Sequence, residues 1–145
     1  MGSTREHETD SFEESPITPT RLGAAAAVMD VVVFAAVGHL ALDDVAIGGI
    51  AGLLVGIGVF CFLPLFVHAD GDGSFEELAS AGDGAPLRAF HRLAAGFALS
   101  AAGLVLLATG FAELEIVVGL PAALAVAVAV YLVAGFALPN ARVPR

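Results

Sequence analysis

The chain has 145 residues, 58% of them hydrophobic, and carries fifteen Asp and Glu against six Arg and no Lys, a formal net charge of −9. Soluble domains are about 45–50% apolar; at a mean hydropathy of +0.89 this chain has more apolar surface than one water-soluble core of its size can hide. The acidic balance excludes a nucleic-acid interface, which needs basic side chains against phosphates, and also a polybasic lipid-headgroup patch.

Residues 1–20, MGSTREHETDSFEESPITPT, are polar, acidic and proline-containing. They bury too little apolar surface to offset the entropy of ordering, so a disordered acidic tail is expected. A secretory signal peptide is not expected, because a positive start and an early apolar core are missing. Residues 21–145 are expected to form the membrane domain.

Four apolar spans follow, at about 22–42, 45–67, 93–112 and 116–138. Each has roughly 20 residues, or about 30 Å of helix, the thickness of a bilayer's hydrocarbon core. Backbone polar groups in lipid must be satisfied within the segment, and these runs do not alternate as barrel strands do, so helices are predicted. The fold class read from the sequence is all-α: a four-helix transmembrane bundle built of two tight hairpins.

Span one contains Asp30 within AVMDVVVF. A carboxylate at the centre of a membrane helix costs about 2.5–3.5 kcal/mol on insertion. Gly23, Ala27, Phe34 and Gly38 share its face, which points Asp30 into the bundle. Ser100, Thr109 and Tyr131 are the polar candidates at similar depth. A neutral Asp30 hydrogen-bonded to Ser or Tyr would clip helices together. An ionisable one reached by water would be a proton or cation site with Ser100 and Tyr131, since intramembrane carboxylates are functional candidates by default. At the end of the span, His39 and Asp43 stand at i and i+4, as a solvated pair or a weak metal site.

Span two reads GGIAGLLVGIG. Gly48, Gly52 and Gly56 fall on one helix face, the small-xxx-small pattern that lets another backbone approach closely. Gly96 and Gly103 mark a similar stripe on span three. These faces are apolar, so packing rather than a pore is predicted. Cys61 is the chain's one cysteine, so no intrachain disulfide is possible.

The loop at 68–91 includes HADGDGSFEELA, which resembles a calcium-binding EF-hand loop with Asp70, Asp72, Ser74 and Glu76 at ligand positions. His68 stands where the first Asp belongs and Ala79 where the bidentate Glu belongs. An acidic loop is the expected reading, with Asp70 and Asp72 as weak metal candidates. His68 and His91, at the two ends of this loop, are read as interfacial histidines. The sequence has no phosphate-binding Gly-rich loop, HExxH, CxxC or Ser-His-Asp arrangement, and neither enzymatic activity nor a cofactor is expected.

The arginines set the orientation. Arg5 and Arg21 precede span one, Arg88 and Arg92 precede span three, Arg142 and Arg145 follow span four, and the turns LDD and ELE have none. The positive-inside rule then places both termini and the long loop in the cytoplasm of a cell-membrane protein. RLGAAAAV at the start of span one and RLAAGFAL at the start of span three leave open whether the hairpins are a duplicated pair.

The stretch MDVVVFAAVGH resembles the opening of a family of small four-span haloarchaeal membrane proteins of unknown function, with Asp in span one, then Phe and Gly at helical spacing. The resemblance implies location and architecture. Acidic, lysine-free and rich in Ala, Val and Gly, the chain also looks like a protein of a salt-loving archaeon, where a Debye length of about 3 Å or less screens the carboxylates. The chain is also similar to the small multidrug-resistance transporters in its four spans and its span-one carboxylate. It departs from them in having Asp rather than Glu, no Trp, and a strong arginine asymmetry. The function expected is a non-enzymatic helix-packing scaffold or accessory subunit, partnered by lipid and by a second copy or another membrane protein. The alternative is a small proton- or cation-coupled transporter using Asp30.

Overall fold

A computed structural model of the protein describes residues 18–70 and 85–137. They form four α-helices: α1 (Pro19–Leu42), α2 (Val45–Asp70), α3 (Ala85–Phe111) and α4 (Ile116–Ala137). Each is long and apolar enough to cross a membrane. Lengths of 22 to 27 residues correspond to about 33–40 Å of helix, against a hydrocarbon core of about 30 Å.

The helix ends depart from the apolar spans. α1 begins with Pro19 in its first turn, where a missing N–H costs nothing, and the Thr18 hydroxyl accepts a hydrogen bond from Arg21 N at 3.3 Å. Pro19 and Thr20, assigned to the tail from sequence, therefore belong to the helix. α2 runs on to Asp70 and α3 starts at Ala85, so Arg88, His91 and Arg92 are helical and only 71–84 remains of the expected loop. Residues 1–17, and with them the expected disordered tail, lie outside the described residues, as does Asp72.

Both hairpin turns close on an acidic residue in the left-handed region. Asp43 has φ 53° and Glu113 φ 56°, conformations that stop a helix because the next N–H groups turn back onto its last carbonyls. At the first turn the Asp43 and Asp44 N–H groups both point to the Gly38 carbonyl, the latter at 3.0 Å. Asp44 Oδ1 then accepts from Ala46 N and Ile47 N at 2.9 and 3.0 Å, capping α2. At the second turn Leu114 N donates to the Thr109 carbonyl and Glu113 N to the Gly110 carbonyl, both at 3.0 Å, the paired bonds of a Schellman ending.

The helices pack as successive pairs, α1 on α2, α2 on α3 and α3 on α4, and α1 touches α3 over a short stretch. α2 and α3 are therefore central and α1 and α4 flank them. The core, Ile47, Ala51, Ala102, Leu106 and Ala123, lies towards the end that carries the turns. Its three alanines follow from the short distance between backbones.

That distance is set by glycine. A Cβ on Gly48 would run into the Phe34 carbonyl oxygen and come within 2.7 Å of Gly38 Cα. On Gly52 it would sit 2.7 Å from Phe34 Cβ, and on Gly56 2.6 Å from the Ala27 carbonyl oxygen. The three glycines predicted to share a face do so, and that face carries α1. A neighbouring flank of α2 receives α3: Gly103 abuts the Ala51 carbonyl and Val55, and Gly96 abuts the Gly58 carbonyl. Backbones this close gain dispersion and Cα–H···O contacts that larger residues would forbid.

The outward faces are apolar. Leu40 is 82% exposed, Val117 72%, Val133 67% and Val28 64%. Water would penalise each at about 25 cal/mol per Å² of apolar surface, whereas hydrocarbon does not. Four apolar helices with apolar outer faces suit a multi-pass membrane protein.

Candidate functional site

Asp30 lies near the middle of α1. Its carbonyl oxygen is part of the α1–α2 seam, 2.9 Å from where a Gly52 Cβ would be. Helical spacing from Ala27 and Phe34, which meet Gly56 and Gly52, carries the side chain to the edge of this seam. Its Oδ2 is buried and has no hydrogen-bond partner among the described residues. The hydrogen-bonded clip expected of a structural aspartate is thus not formed by protein groups at this oxygen.

Ser100, on α3, shares that condition: its Oγ is buried and unpartnered among the described residues. It faces Gly58, whose missing Cβ leaves room for the hydroxyl. The other two candidate partners are occupied elsewhere. The Thr109 hydroxyl donates to the Leu106 carbonyl of its own helix at 2.7 Å and fills the space beside Gly119. The Tyr131 hydroxyl is hydrogen-bonded to His91 Nδ1 at 2.8 Å, and the two rings are stacked with centroids 6.1 Å apart. The structure therefore associates Tyr131 with His91, at the end of the α3–α4 pair away from the turn.

The His91–Tyr131 contact was not anticipated from sequence. His91 lies 20 residues before the end of α3 and Tyr131 15 residues after the start of α4, so an antiparallel count puts them at the same end of the pair without bringing them level. A second unanticipated contact, Phe62 stacked on Phe97 at 5.3 Å and 11°, joins α2 to α3 at the same end.

The metal candidates are dispersed. His39 and Asp43 are both exposed. His39, in the last turn of α1, is placed to favour the helix dipole. Asp70 ends α2, so the opening positions of the EF-hand-like stretch are helical, while Asp72 and the remainder lie outside the described residues. No three His, Cys, Asp or Glu among the described residues converge as a metal set. Cys61 is a free thiol, half-buried, with its Cβ against Gly96.

Between the two turns is an open hollow lined by Leu42, Asp44, Ile47, Gly110, Glu113 and Glu115, among others. Its Asp44 carboxylate is engaged in capping α2. No family model, curated protein or solved structure matches the chain.

Proposed function

We propose that the chain is a multi-pass protein of the cell membrane that works without catalysis as a helix-packing scaffold or accessory subunit. The observation that carries this reading is the seam formed by Gly38, Gly48, Gly52 and Gly56, where α1 and α2 meet backbone to backbone. Such a seam makes a stiff hairpin. It leaves the outward apolar faces of α1 and α4 for lipid, a second copy or another membrane protein. Both termini are cytoplasmic in this reading, since all six arginines fall away from the two turns. The acidic composition suits a haloarchaeal cell, and lipid is the constant partner.

A second reading, a small proton- or cation-coupled transporter, is favoured by one observation: the buried, unpartnered Oδ2 of Asp30. Purified protein in sealed proteoliposomes separates the two. The scaffold reading predicts proton and alkali-cation flux no greater than that of empty vesicles, and an Asp30→Asn protein that folds and inserts as the parent does. Flux abolished by Asp30→Asn in a normally folded protein overturns the scaffold reading in favour of transport.

A further inference from the structure

Two buried oxygens without a partner among the described residues, Asp30 Oδ2 and Ser100 Oγ, belong to different helices, and the packing register brings them towards one place. Along the α1–α2 seam, Gly56 abuts Ala27, and Gly52 abuts the Asp30 carbonyl and Val31 Cα. Asp30 is thus level with α2 between Gly52 and Gly56. Along the α2–α3 seam, Gly103 abuts Leu54 and Val55, and Gly58 abuts Ser100. Ser100 is thus level with α2 just before Gly58. The two levels differ by about one helical turn, roughly 5 Å. Asp30 leans towards the N-terminus of α1, as helical side chains do, and so towards the level of Gly56, which narrows the gap.

Their bearings agree as well. At about 100° per residue, the α1-facing glycines of α2 (Gly48, Gly52, Gly56) and its α3-facing residues (Ala51, Leu54, Val55, Gly58) are centred roughly 120° apart. α1 and α3 therefore stand on the two banks of one groove of α2, with Val55 on its floor, and they touch across it. The same stepping puts Asp30 on the flank of α1 turned to α3, and Ser100 on the flank of α3 turned to α1.

We infer that Asp30 and Ser100 together hold one monovalent alkali cation of the sodium class in the α1–α2–α3 groove, and that this ion ties α1 to α3. The donors are hard oxygens, which select hard cations over transition metals. One carboxylate balances a single positive charge, so a divalent ion would leave a net charge among apolar side chains. A cation can bridge two oxygens that make no hydrogen bond to one another, whereas a proton on Asp30 would neutralise the carboxylate and, without a direct bond between the two, leave Ser100 Oγ unpartnered. The site gives α1 and α3, which share little direct packing, a polar link at mid-helix. This inference takes up the Asp30 of the transport reading and names its ligand. Its readout is binding rather than flux, so a chain that binds the ion without moving it upholds the site and overturns only transport.

The experiment is thermal unfolding of the full-length protein in detergent, with sodium chloride exchanged for choline chloride at constant ionic strength. A ligand that binds only the folded state stabilises it logarithmically above its dissociation constant. The melting temperature is expected to rise saturably with sodium. Asp30→Asn abolishes the response, and Ser100→Ala raises the half-saturating concentration about ten-fold, as expected when one oxygen ligand is lost. Should Asp30→Asn fail to fold, radioactive sodium binding to the parent protein decides, with one saturable ion per chain expected and Ser100→Ala weakening it. Equal melting in sodium and choline, absence of saturable binding, or a response that follows pH instead of sodium overturns the proposal.

Discussion

Asp44 performs two tasks within three residues: its N–H closes α1 onto the Gly38 carbonyl, and its Oδ1 caps α2. Only the second depends on its side chain. Asp44→Ala should therefore destabilise the protein by about 0.5–2 kcal/mol, the usual cost of losing a cap. Asp44→Asn, which keeps the accepting oxygen, should stay close to the parent in thermal unfolding in detergent. Asp30 presents the opposite balance, a carboxylate whose surroundings were only partly legible. Its place in an apolar run is plain from AVMDVVVF, and helical spacing turns it inward. Its Oδ2 finds no partner among the described residues, and two of the polar residues expected at its depth, Thr109 and Tyr131, are engaged elsewhere. Both make hydrogen bonds nearer at hand, and depth along a span says nothing about such competition.

At the scale of the helices, the glycines differ sharply in what surrounds them, and this predicts opposite effects from one substitution. Gly48→Ala would force a methyl group into the Phe34 carbonyl and Gly38. It should cost about 1–3 kcal/mol, as overpacking does. Gly49, its neighbour, has nothing within 4 Å of where a Cβ would stand. Gly49→Ala should be neutral or stabilising by up to about 1 kcal/mol, the helix-propensity difference. Comparing the two variants' unfolding in one detergent checks both; equal effects would contradict a backbone-to-backbone seam. The four-residue spacing of Gly48, Gly52 and Gly56 made this face readable in advance, because periodicity fixes a face without fixing its partner. Helix ends were less readable. Hydropathy finds where apolar residues stop, whereas α2 and α3 continue through polar residues to Asp70 and back to Ala85, held by helical hydrogen bonding that needs no apolar side chain.

For the whole molecule, the order of packing matters more than the number of helices. Because α1 and α4 flank the central pair, their large side chains stay exposed, as Leu40, Val117, Leu124 and Val133 show. Composition and span length made a four-helix membrane architecture legible. They could not show which helices are central, since that depends on small-residue contacts among Gly58, Gly96, Gly103 and Ala51. Outer faces this apolar suit hydrocarbon as their solvent. The direct measurement is alkaline carbonate extraction of membranes from cells expressing the chain, followed by centrifugation with and without detergent. The protein is expected wholly in the pellet after carbonate and in the supernatant only once detergent is added. Its recovery as a dispersed species in detergent-free supernatant would contradict the account.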